Sequence, residues 1–323
     1  MLLSVLNGWT IANAQVTEAR LGERYDRELL VRALEYADRE GFSDVAVRAY
    51  VELVELSAFH RGDLAAGRRD LEEALRYARR HGIEDQTLIG HTQVIAYLAG
   101  DWDGLDRLAD AANEIRLTET GLRWASTGGP VVFLTIPVSV RLARSGPESV
   151  LPRIERALLG LWTRDAEKLP WLETWLAALA YLHAATGDLV RSRELLDEVR
   201  RLRQIGPISV IWLTGAAPLC DDDSVLRQAM AGYHERWAMT FLGRGLPALK
   251  ALLDSDPSLA ATRAAGSVSP LELIFIVRLA DYLGLALGAE WRSLIDAART
   301  FCRRVDAAWA LEQLDQLEPL IRS

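Results

Sequence analysis

Three times in this chain a glycine, an aspartate and a large apolar residue separate two helical runs: Gly62-Asp63-Leu64, Gly100-Asp101-Trp102 and Gly187-Asp188-Leu189. The order is chemically specific. Glycine reaches the left-handed backbone that ends one helix at no steric cost, and aspartate accepts from the free amides that open the next. The flanking apolar residues recur at helical spacing. Over residues 44–60 they are Val47, Ala49, Tyr50, Leu53, Val54, Leu56 and Phe59, nearly all round the axis, which predicts an inner helix. Over 63–80, Leu64, Leu71, Ala74, Leu75 and Ala78 share one face and charges take the others, which predicts an amphipathic helix. A chain punctuated in this way folds as helical hairpins.

The spacing extends the pattern. Turn glycines at 62, 100, 146 and 187 are separated by 38, 46 and 41 residues, and Gly243 and Gly288 continue the series with steps of 56 and 45. Two helices and two short loops need about this length. Helices are expected over 2–19, 24–39, 44–60, 63–80, 84–99, 101–115, 118–144 with an interruption at Gly128-Gly129-Pro130, 148–162, 169–185, 188–203, 224–242, 246–253, 271–287, 290–303 and 306–321. Gly206-Pro207 and Gly215-Ala216-Ala217-Pro218 read as loops, and Asp254-Ser255-Asp256-Pro257 as a turn. Residues 1–205 therefore form the regular repeats. Residues 206–323 continue them less regularly to a C-terminal cap, as one continuous solenoid. The first helix opens without a cap, so the expectation is an array continuing a longer protein.

Half of the 323 residues are hydrophobic and a quarter are charged, as in ordinary globular proteins. The net charge of -8 argues against unspecific nucleic-acid binding through a basic surface. Cys220 and Cys302 lie far apart and form no CxxC pair, so no disulfide framework is implied and a reducing cytoplasm is expected. The apolar start lacks the basic segment and cleavage site of a leader. The run at 130–140 is shorter than the roughly 20 residues a membrane helix needs.

Motifs for chemistry are missing. His60, His81, His91, His183 and His234 form no HxxxH or HExxH pair and read as packing and helix-end residues. Asp221-Asp222-Asp223 resembles the metal-holding motif of all-helical terpene synthases, but it precedes a helix and has Val225 in fifth place, so helix capping is the reading. Neither Lys168 nor Lys250 lies in a phosphate-binding glycine loop, and no G-x-S-x-G elbow occurs. The ten tryptophans offer an aromatic lining for a peptide or small molecule. The candidates are Trp124, Trp171, Trp175 and Trp212; inter-helix packing is the competing reading. Arginines on second helices (Arg68, Arg69, Arg76, Arg79 and Arg80, then Arg191, Arg193, Arg200, Arg201 and Arg203) make either a solvated face or a groove for acidic peptide ends.

The residues after each turn resemble the tetratricopeptide (TPR) hairpin. Gly62 is followed by Leu64, Gly67, Leu71 and Ala74; Gly187 by Leu189, Ser192, Leu196 and Val199; Gly100 by Trp102, Leu105, Ala109 and Ala112. Glu55 stands where that family has a first-helix glycine, so the repeats are divergent. Residues 32–112 further resemble the C-terminal helical region of large ATP-binding LuxR-type regulators and of related bacterial ATPase-cyclase signalling proteins. The resemblance implies an all-α, right-handed superhelix of TPR-like hairpins. It implies a non-catalytic scaffold for a protein, peptide or small-molecule ligand, the sensing module of a bacterial signalling or transcriptional regulator; from the composition and the missing motifs, a cytoplasmic location is expected, with no cofactor, metal, membrane or direct nucleic-acid contact. The ATPase and DNA-binding parts of those regulators have no counterpart in this sequence. The alternatives are an all-helical enzyme with a pocket near 124–130 and 207–223, and a homo-oligomer.

Overall fold

The computed structural model describes residues 26–83, 86–105, 129–152, 154–155, 172–202, 205–233, 245–265 and 269–321. Among these residues the secondary structure is helical, apart from one isolated parallel bridge between Leu287 and Ile321. The chain forms two compact units, Met1–Ala99 and Gly100–Ser323.

The first unit contains α1 (Arg27–Arg39), α2 (Ser43–Glu55), α3 (Leu64–Arg80) and α4 (Gln86–Ala99). Each helix packs on the next, and α2 also meets α4. The Asp63 carboxylate caps α3 by accepting from the Ala66 amide at 2.8 Å. Five residues after Gly62, a Cβ on Gly67 would lie 2.5 Å from the Ala58 Cβ. The close approach of α2 to α3 therefore requires glycine there. Before the turn, α2 passes into a single π-helical turn, Leu56–His60. There Ser57 donates to Asp70 at 2.6 Å, and Arg27 holds the same carboxylate through two bonds of 2.8 Å. This triad ties α1 to α3 through the buried Asp70 carboxylate, with the Arg27 side chain 39% exposed.

The second unit contains a helical stretch at 102–105, α5 (Gly129–Ser145), a helical stretch at 147–152, α6 (Leu172–Ala185), α7 (Leu189–Arg201), α8 (Pro207–Cys220) and α9 (Ser224–Ala231). It continues with α10 (Leu246–Leu253), α11 (Pro257–Ala264), α12 (Pro270–Tyr282), α13 (Glu290–Arg304), α14 (Ala308–Gln316) and a short 3-10 turn at Glu318–Leu320. α6, α8 and α12 are apolar nearly all round and lie inside. α7 and α13 keep charges on one side and lie outside. Packing is not confined to neighbours in sequence. α6 meets α8, α8 meets α12 across the intervening helices, α12 meets α14, and α14 lies against α5. Arg144 at the end of α5 donates to the Val305 carbonyl at 3.0 and 3.2 Å, 161 positions away, and to Asp103 at 2.7 Å. Arg299, 9% exposed, gathers Asp296, Asp315 and Glu318 and locks the last helices together.

Several expectations need correction. Residues 207–220 are helix, not loops. Pro207 occupies the first turn, where its missing N–H costs nothing. Gly215 is a packing residue: a Cβ there would lie 2.8 Å from the Tyr181 ring and 3.0 Å from the Phe275 ring. Pro218 falls in the last turn, before Asp221 closes the helix at φ 54°. α11 was not anticipated, although Asp256 caps it at 2.9 Å and Pro257 opens it. α12 stops at Tyr282, and the left-handed glycine after it is Gly284, φ 70°, rather than Gly288. α9 ends at Ala231 before Gly232. The helix expected at 2–19, most of that at 101–115, and Gly243 lie outside the described residues.

Candidate functional site

The inner helices of the second unit supply its interior. Every residue of α6 from 174 to 184 is buried, and α8 and α12 press on it. Tyr181 of α6, Trp212 of α8 and Phe275 of α12 form the centre, with ring centroids 5.8, 4.6 and 6.2 Å apart for the pairs Tyr181–Trp212, Tyr181–Phe275 and Trp212–Phe275. Thr174 and Ser209 share a buried hydrogen bond of 3.0 Å between α6 and α8. Trp212 is 1% and Trp175 6% exposed, so both are core residues between helices and turn no face to solvent. Trp124 and Trp171 lie outside the described residues.

One polar group in this core stands out. Tyr181 is fully enclosed, and its hydroxyl has no hydrogen-bond partner. Burial pushes its phenol far up, with the Arg278 charge opposing the shift and Glu148 adding to it. Arg278 lies on α12 one turn beyond Phe275, the ring that packs on Tyr181. Its guanidinium donates to the Gln313 side-chain carbonyl on α14. Gln313 is buried, Arg278 half-buried and Glu148 exposed. The cluster thus draws on the start of the 147–152 stretch and on α6, α12 and α14. Its members are far apart in sequence and were not anticipated, yet a signal exists: Arg278 is the single charge among residues 273–280, an otherwise apolar run.

In the first unit the Tyr77 hydroxyl and the Gln93 side-chain amide are also enclosed without a hydrogen-bond partner. His183 Nε2 lies 3.1 Å from Glu155, with Nδ1 3.4 Å from Asp188. In the first unit, His91 Nε2 lies 3.1 Å from Glu55. His81 stacks on Tyr77 at 4.2 Å. Asp222 accepts from the Ser224 amide at 2.9 Å and from Arg200 at 3.0 Å, and Asp223 pairs with Arg227 at 2.7 Å. Desolvation works against ionisation of Asp222, but its bonds from Ser224 and the Arg200 charge hold the carboxyl below its ordinary range. No group of three or more His, Cys, Asp or Glu side chains suited to a metal occurs among the described residues. The Cys220 Sγ lies 3.0 Å from the Ser192 hydroxyl, and burial pushes the Cys302 thiol up to about 12, so neither is an activated thiolate.

A dimple lined by Ile211, Thr214, Leu246, Leu249, Phe275 and Ile276 has room for the centre of about one water, 10 Å³. Its polar rim is engaged: Thr214 donates to the Val210 carbonyl, and Glu272 accepts from the Ser269 amide. Among the described residues, no helix is long and apolar enough to cross a membrane. Comparison with protein-family models, with curated proteins and with solved structures finds no match to this chain.

Proposed function

We propose that this chain is a non-catalytic, TPR-like helical-repeat scaffold that recognises a protein, peptide or small-molecule ligand, as the sensing module of a bacterial signalling or transcriptional regulator. The observation that carries the reading is the shared construction of two hairpins in different units. At Gly62 and Gly187 the backbone turns left-handed, φ 68° and 90°. The next residue caps the second helix, Asp63 to Ala66 at 2.8 Å and Asp188 to Arg191 at 3.1 Å. Five residues past each glycine a small residue presses on the preceding helix. One is Gly67 against Ala58; the other is the enclosed Ser192, which donates to the Ala180 carbonyl at 2.7 Å. Reuse of one hairpin with different side chains outside is how repeat proteins present varied binding surfaces on a constant frame.

In this reading successive hairpins wind as a right-handed α-α superhelix, and a bound partner alters the contacts of an attached domain or subunit. Affinity capture with the full chain from its source cell, followed by mass spectrometry, tests it. A partner or ligand retained at near-stoichiometric level is expected. Robust turnover by the purified chain would overturn the proposal.

A further inference from the structure

We draw no further inference here: the strongest candidate, the apolar dimple between α8, α10 and α12 lined by Ile211, Thr214, Leu246, Leu249, Phe275 and Ile276, has room for about one water, and nothing in the structure shows what covers it.

Discussion

The turns at Gly62 and Gly187 look out on open space, whereas those at Gly100 and Gly146 are roofed by the end of the chain. All are left-handed, with φ of 68°, 90°, 83° and 80° in that order. A Cβ on either of the first two would meet nothing within 4 Å. On Gly100 it would lie 3.0 Å from Val305 and 3.3 Å from Arg304, and on Gly146 3.0 Å from Trp309. The same local signal therefore serves two jobs. In one place it only reverses the chain. In the other it also leaves the space into which residues of α13 and α14, and of the link between them, are set.

Substituting alanine should separate these jobs most clearly. Gly187→Ala forces a side chain into the left-handed region and should cost about 1–2 kcal/mol. Gly146→Ala adds a clash with Trp309 and should cost about 2–4 kcal/mol, the largest effect of this group. Equal losses in urea unfolding would show that the roof contributes nothing. Arg144→Met, which removes the bonds to the Val305 carbonyl and Asp103, should cost about 1.5–3 kcal/mol. It should speed amide exchange in α13 and α14 while leaving α1–α3 unchanged. Uniform acceleration throughout would break the distinction between roofed and open turns.

The open turns should behave alike. Asp63→Ala and Asp188→Ala each remove one N-cap and should each cost about 1 kcal/mol. A difference above that size would mean the two hairpins are not equivalent. The smallest effect concerns Asp222, in a turn whose left-handed residue is Asp221 instead of glycine. Its folded pKa is depressed, so its contribution is present above its ordinary value of 3.8 and is lost as pH falls through the lower folded value. For this surface group the amount is below about 1 kcal/mol. Arg200→Gln should shrink the acid-side slope of stability between roughly pH 5 and 2, and an unchanged slope would count against Arg200 as a cause.

Much of the helical layout could be read from residue order. The Gly-Asp order by itself marks Asp63 and Asp188 as caps, and the all-apolar run at 44–60 marks an inner helix. α8 was missed because Gly215 and Pro218 are helix breakers in isolation. Their positions make sense only against Tyr181 and Phe275 on one side and the helix end on the other. Spacing points to Gly288, but it carries no information on which glycine turns left-handed, and that residue is Gly284. Trp175 and Trp212, candidates for an aromatic lining because they lie in the irregular middle of the sequence, are buried between helices. The polar group that is left over, Tyr181, gives no sign of itself in a run of apolar neighbours.

Cap chemistry and apolar periodicity act over a few residues, through bonds and backbone sterics that any copy of the same segment would repeat; for this reason the hairpins of this protein were legible in the order of its amino acids. The meeting of α5 with α14, the roof over Gly146, and the convergence of Tyr181, Arg278 and Gln313 depend on which surfaces fit once all the helices compete for burial. That competition joins residues such as Arg144 and Val305, 161 positions apart, and no local rule encodes its outcome.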